Sequence, residues 1–326
     1  MIVVIGAGAM GTAIAKLIAD NGYDVYLWAR RRKVVDDIIK YRENKEYYPG
    51  LKLPKNIFPT DSLEVVAESN IVFIATPSHA VRAISREIKK YVSEDHIIVN
   101  LAKGIEYNPF MRLSEVIKEE IGSEKIAVLS GPNFAIEIIR RLPTGTTLAS
   151  YCSEVLEKIK NILSNDFFIV QTTKDVIGVE MGGVLKNIYA IAMGICKALD
   201  INENAYYFIL SEAFREMRTI IENVGGKIDS LFLSSGFGDL CLTSSSDKSR
   251  NRILGFICGK RMLDNINGKS VVFEGKKSVR AMMWFAEKNN LKCPVMGFVY
   301  DVLIDNRNPY FAYKELWKKL REVYSK

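Results

Sequence analysis

The chain has 326 residues, 48% hydrophobic and 25% charged, with 45 Lys and Arg against 38 Asp and Glu for a formal net charge of +7. That length exceeds what one core usually serves, so two domains are expected, and the composition excludes disordered and fibrous classes. Five cysteines (Cys152, Cys196, Cys241, Cys258, Cys293) are scattered and odd in number, with no CxxC and no metal-like pairing with the two histidines. This argues against a disulfide scaffold and a metal site and predicts reduced thiols in a cytoplasm. The positive charge suits anionic small molecules or nucleic acid, but no nucleic-acid recognition motif is present.

The chain opens with an apolar strand, residues 1–5 (MIVVI), and no basic lead-in, so no signal peptide is expected. Gly6-Ala7-Gly8-Ala9-Met10-Gly11 follows at once, then a helix over residues 12–20. Set between strand and helix, this is a dinucleotide-binding pattern. Gly6 makes the tight turn, Gly8 admits a pyrophosphate, Gly11 packs helix on strand, and the helix N-terminus faces the phosphates. The second strand, residues 24–28, ends at Ala29-Arg30-Arg31-Arg32-Lys33. An acidic residue there would hold a ribose 2′-hydroxyl; Arg30 and Arg31 match a 2′-phosphate, so NADP is preferred over NAD.

Residues 41–59, with Pro49, Pro54 and Pro59, read as a long loop, and Asp61 with Glu64 as a capping box. Strands over residues 70–75, 97–101 and 126–129 end at Thr76, at Lys103 and at Ser130-Gly131-Pro132-Asn133. In open α/β sheets ligands bind beyond strand carboxyl ends, so these residues are predicted to line one crevice. His79 reads as a cap or packing residue. Two further strands, residues 144–151 and 167–173, flank a helix over residues 154–163, and the sheet then stops.

Helical stretches follow over residues 176–199, 204–224, 249–262, 277–289 and 309–323. The first is nearly all apolar or small, yet it carries Glu180, Lys186 and Asn187. A helix apolar on most sides is buried, and a buried ammonium needs a partner, so Lys186 is predicted to serve a site. Its uninterrupted apolar run is about half of the roughly 20 residues a membrane span needs, so no integral membrane association is expected. Residues 234–243 read as a chemical loop, with glycines around Asp239, and Ser249-Arg250-Asn251 opens a helix. Ser249 is placed to cap it, and Arg250 with the first N–H groups forms a phosphate seat. Residues 271–275 (VVFEG) read as a short extended turn.

Five segments now carry a resemblance: GAGAMGTAIA from Gly6, NLAKGIE from Asn100, LSGPNFAIE from Leu129, GVEMGGVLKNIYAIAMGI from Gly178 and SGFGDLCLTSSSDKSRNRILG from Ser235. Together they closely resemble the NAD(P)-dependent glycerol-3-phosphate dehydrogenase family over nearly the whole chain. The resemblance implies an α/β fold, an N-terminal Rossmann-type doubly wound sheet (residues 1–174) followed by an all-helical substrate-binding and catalytic domain (residues 175–326). It implies reversible reduction of dihydroxyacetone phosphate to sn-glycerol 3-phosphate for phospholipid synthesis, with NADP or NAD as cofactor, in a cytoplasmic homodimer. By position it makes Lys186, Lys103 and Asp239 catalytic. Gly131, Asn133, Asn187, Thr243, Ser249, Arg250 and Asn251 join them around substrate. Gly6, Gly8, Met10, Gly11, Arg30, Arg31, Lys103, Ala135, Arg250, Val272 and Glu274 correspond to cofactor contacts. Asn133 stands where the family has Ser or Thr, Glu212 where bacterial members often have Arg, and Phe273 is an extra residue. Two other readings share part of the pattern: a related Rossmann/helical hydroxyacid dehydrogenase, which needs no phosphate seat, and a non-catalytic NADP-binding regulator.

Overall fold

The computed structural model describes residues 1–262 and 269–325, with the side chains of residues 269–274 outside the description. The chain divides into two compact units, Met1–Lys103 with Met111–Val179, and Gly104–Phe110 with Glu180–Lys326.

The first unit is built on an eight-stranded sheet: β1 (Ile2–Ile5), β2 (Val25–Trp28), β3 (Ile57–Thr60), β4 (Ile71–Ile74), β5 (Ile97–Asn100), β6 (Ile126–Ser130), β7 (Thr144–Ala149) and β8 (Phe168–Thr173). Their order is β8-β7-β6-β5-β4-β1-β2-β3, parallel throughout except where β6 meets β7. β1, β4 and β5 are short runs of Ile, Val and Phe (Asn100 ending β5), buried along their whole length, as strands covered on both faces must be. Alternation sorts them: Ile2, Val4 and Phe73 join one apolar cluster, Val3, Ile5, Val72 and Ile74 the other. Helices α1 (Ala9–Asp20) and α6 (Ser153–Leu163) cover the first face through Ile14, Leu17, Ile18, Ile159 and Leu163. The second face lies under α3 (Val81–Ile88) and α4 (Leu113–Ile121) through Ile84, Ile88 and Ile117. Helices α2 (Arg32–Tyr41) and α5 (Ala135–Ile139) complete the unit, a doubly wound Rossmann-type layer.

Two local expectations are corrected. Residues 57–59 of the expected loop, with Thr60 after them, form β3; Pro59 lacks a donor, and the strand is tolerated because it is the sheet edge, paired only with β2. Asp61 does not cap the next segment. Ser62 does, its side chain accepting from Glu64 N at 3.2 Å, and the segment is a 3₁₀ turn, Leu63–Glu68. The remainder of the long loop fastens the glycine turn: Asn44 Nδ2 donates to Ala7 O (2.9 Å) and Thr12 Oγ1 (2.8 Å), and Tyr48 OH to Ala9 O (2.9 Å).

The second unit is helical: the part of α7 (Val176–Ala198) from Glu180 onward, α8 (Glu203–Asn223), α9 (Asp239–Ser245), α10 (Arg250–Gly259), α11 (Lys269–Lys288), α12 (Pro294–Leu303) and α13 (Pro309–Tyr324). Among the described residues α7 alone is long and apolar enough to cross a membrane, and 89% of its apolar window is buried inside the molecule, the mark of a core helix. It meets α10 backbone to backbone. A Cβ added at Gly194 would lie 2.0 Å from Arg252 O, and one at Gly255 2.0 Å from Ile191 O, so neither glycine tolerates a side chain. Residues 234–243 are not a loop: a π-helical turn, Ser234–Gly238, leads directly into α9. Residues 271–275 are not an extended turn either, since α11 runs through them. The short segment Gly104–Phe110 packs here, with Phe110 stacked on Phe285 at 5.0 Å and Tyr107 edge-on to Trp284 at 6.2 Å.

Candidate active site

In the first unit the glycine turn fits a dinucleotide. Gly6 has φ +114°, and a Cβ there would meet Ala75 O at 2.8 Å; one at Gly11 would lie 1.8 Å from Gly6 O. Gly8, by contrast, faces open space, with nothing within 4 Å of an added Cβ, and as N-cap of α1 it makes no side-chain bond to the helix. The free N–H groups of α1 are therefore open to a phosphate. At the carboxyl ends of β4 and β6, the buried hydroxyls of Thr76 and Ser130 have no hydrogen-bond partner, as expected of groups that await a polar ligand. Met10 and Ala135 are half-buried and pack on the cluster beneath the turn. Beyond β2, Arg30 and Arg31 are exposed, and Arg31 pairs with Glu46 at 2.5 Å.

The same unit gathers Lys103, Gly131 and Asn133. Lys103 Nζ donates to Gly131 O at 3.2 Å and Asn133 Oδ1 at 3.4 Å. Asn133 Nδ2 reaches Thr146 Oγ1 at 3.3 Å, and that hydroxyl donates to Ser130 O at 3.0 Å. Gly131 adopts φ +152°, and a Cβ there would stand 3.0 Å from Thr146 Cα, so the turn presenting Asn133 to Lys103 requires glycine.

The second unit gathers Lys186, Asp239 and Thr243. Lys186, on the apolar α7, is 6% exposed; its Nζ lies 2.5 Å from Asp239 Oδ1 and 3.1 Å from Thr243 Oγ1. Asp239 and Thr243 sit one turn apart on α9, their side chains 3.3 Å apart. The π-helical turn ahead of α9 aims this face at α7, and Gly182 allows the approach, an added Cβ there lying 3.1 Å from Ser235 O. A carboxylate this close offsets the cost of burying an ammonium. Among the described residues no group of three or more His, Cys, Asp or Glu is arranged to hold a metal.

Asn187 is half-buried and donates to Gly183 O at 3.2 Å. Ser249 caps α10, its side chain accepting from Arg252 N at 3.2 Å, while Arg250 is exposed and Asn251 half-buried at the helix start. Sequence reasoning passed over Arg252, whose Nε is buried with no hydrogen-bond partner while its guanidinium pairs with Asp247. The SRNR spacing held the signal, because residues two apart cannot share a helix face. The side chains of Val272 and Glu274 lie outside the described residues.

Residues 1–156 match the family profile of the NAD-dependent glycerol-3-phosphate dehydrogenase N-terminus, and residues 175–314 that of its C-terminus. The chain belongs to the NAD-dependent glycerol-3-phosphate dehydrogenase family. It is 42% identical to the Halothermothrix orenii glycerol-3-phosphate dehydrogenase [NAD(P)+] over 318 residues, 96% of this chain and 93% of that one. A Clostridium botulinum enzyme of the same description is 37% identical over 96% of this chain and 95% of its own. The crystal structure of the Coxiella burnetii glycerol-3-phosphate dehydrogenase superposes with a TM-score of 0.88 at 30% identity, covering 97% of this chain and 98% of that one. The likeness between the five sequence segments and this dehydrogenase family therefore extends along the whole fold, Rossmann-type sheet first and helices after.

Proposed function

We propose that the chain catalyses the reversible NAD(P)H-dependent reduction of dihydroxyacetone phosphate to sn-glycerol 3-phosphate. The observation that carries this reading is the buried Lys186–Asp239–Thr243 cluster in a chain whose two halves match the two halves of that family. The bound nicotinamide supplies the hydride. As it reaches the ketone carbon, negative charge grows on the substrate oxygen, and the Lys186 ammonium stabilises that charge and gives up a proton to make the alcohol. Asp239 and Thr243 hold the ammonium in one rotamer, which lowers the entropy lost in reaching the reactive geometry. Lys103, fixed by Gly131 and Asn133, is the second cation of the reaction. Asn187 and Asn251 orient the substrate hydroxyls. The substrate phosphate is taken by Arg250 and the α10 N-terminus, with Ser249 shaping the turn.

In this reading residues 1–174 bind the dinucleotide and residues 175–326 bind substrate and carry the proton donor. Gly6, Gly8, Met10, Gly11 and Ala135 surround the nucleotide, and Val272 and Glu274 contact it as the resemblance implies. Arg30 and Arg31 favour NADP. The Arg30→Ala/Arg31→Ala double variant is expected to weaken NADPH binding by about a hundredfold, the loss of two charge-assisted hydrogen bonds, and to leave NADH binding unchanged. Fluorescence titration with both nucleotides measures this, and equal losses for the two would end the NADP assignment. The enzyme acts in the cytoplasm as a homodimer, and its product serves phospholipid synthesis.

Arg250 separates this function from a hydroxyacid dehydrogenase. Arg250→Ala should raise KM for dihydroxyacetone phosphate about tenfold or more, and KM for unphosphorylated dihydroxyacetone by far less. An unchanged KM would show that the phosphate is held elsewhere.

A further inference from the structure

Helix α13 carries a feature that the dehydrogenase reaction does not use. At about 100° per residue, Tyr310, Lys314, Trp317, Arg321 and Tyr324 fall within one narrow stripe, aromatic and basic in turn. All five are exposed; Tyr310 is 52%, Trp317 37% and Tyr324 59% in contact with solvent. The acids of the helix, Glu315 and Glu322, point about a third of a turn away. From α8, exposed Phe208 packs edge-on against Trp317 at 5.6 Å and lies 6.3 Å from Tyr324. Arg215 of the same helix stands over the Tyr324 ring at 6.0 Å, and Lys314 lies 4.6 Å from the Tyr310 ring. Glu212, the carboxylate bonded to Arg215 and to Tyr324 OH, is itself buried beneath this face.

Wet aromatic rings interleaved with cations, with no acid on the same stripe, match the headgroup layer of a bilayer. There Trp and Tyr place an apolar body and a polar tip, and Lys and Arg extend their heads to anionic lipid. Lys318, exposed at the margin of the stripe, extends the positive edge. Base stacking explains the rings less well. Trp317 has Tyr313 stacked on it at 6.3 Å and 20°, and Phe208 meets it edge-on, so its surroundings are already occupied. We propose that the α8–α13 face is a peripheral docking surface for anionic phospholipid bilayers.

The test is co-sedimentation of the full-length protein with phosphatidylcholine vesicles containing or lacking phosphatidylglycerol. The proposal expects binding about tenfold or more tighter to the anionic vesicles, weakened by salt. Lys314→Glu/Arg321→Glu should abolish it with turnover in solution and thermal stability unchanged, and Trp317→Ser should weaken it with turnover in solution unchanged. Absence of binding to anionic vesicles would overturn the proposal, as would binding that survives the charge reversal. So would a dimer that Trp317→Ser converts to monomers without any vesicle binding, because the face would then belong to a second copy. Binding to single-stranded DNA that the same variants remove, again without vesicle binding, would overturn it too.

Discussion

Lys186→Ala is expected to lower turnover of dihydroxyacetone phosphate by about 10²- to 10⁴-fold, the range for loss of a positioned acid, while NADPH affinity stays within about twofold. The asymmetry follows from where the residue sits. Lys186 belongs to the helical unit and bonds there to Asp239 and Thr243, whereas the glycine turn is held by Asn44 and Tyr48 of the first unit. Alanine also breaks a buried ion pair by removing the ammonium beside Asp239, 1% exposed, which costs about 3–5 kcal/mol. Lys186→Met/Asp239→Asn controls for this, since replacing both charges is close to neutral for stability. Its turnover should be lost with its melting temperature nearly restored. Near-normal turnover in either variant would remove Lys186 from the mechanism.

The second large effect concerns Glu216, fully buried on α8. Its carboxyl accepts from Val295 N at 2.6 Å and Met296 N at 3.0 Å at the start of α12, and from Tyr189 OH at 3.1 Å on α7. One side chain thus ties together three helices, including the one that carries Lys186. Burial pushes its pKa up to about 8 from 4.5, against the opposing pull of the two backbone N–H groups. Because the folded value is raised, the folded chain binds a proton that the unfolded chain releases. The stabilising contribution is therefore complete below about pH 4.5 and is lost as pH rises to about 8. Glu216→Gln cannot titrate and leaves one N–H of α12 facing an amide N–H. The stability of wild type minus that of the variant should fall by roughly 5 kcal/mol between those limits, at ~1.4 kcal/mol per pH unit. Denaturant unfolding of both proteins across pH 5 to 9 measures it. Parallel stability curves would mean that Glu216 does not carry a proton in the native state.

The contrast between Lys186 and Glu216 shows what the sequence made legible. A lysine inside an apolar helix stands out because nothing around it can solvate it, and the glycine turn stands out because strand, glycines and helix occur within a dozen residues. Glu216 sits in an amphipathic helix where a glutamate reads as solvated, and its partners Val295 and Met296 lie 79 and 80 residues away. The π-helical turn before Asp239 was hidden by its glycines, which read as loop, although what Gly236 provides is a close approach to the Leu231 backbone. β3 was hidden by Pro59, harmless at an edge. The VVFEG segment has the β-branched composition of an extended turn, yet tertiary context makes it helix. Local chemistry could be read from short windows; pairings set by distant backbone could not.

The most direct measurement is oxidation of NADPH and NADH by the purified protein with dihydroxyacetone phosphate, with the product resolved on an enantioselective assay. Turnover with NADPH, at higher kcat/KM than with NADH and yielding sn-glycerol 3-phosphate, is the predicted result. Inertness of both nucleotides toward this ketone, with turnover of an unphosphorylated 2-keto acid instead, would contradict it.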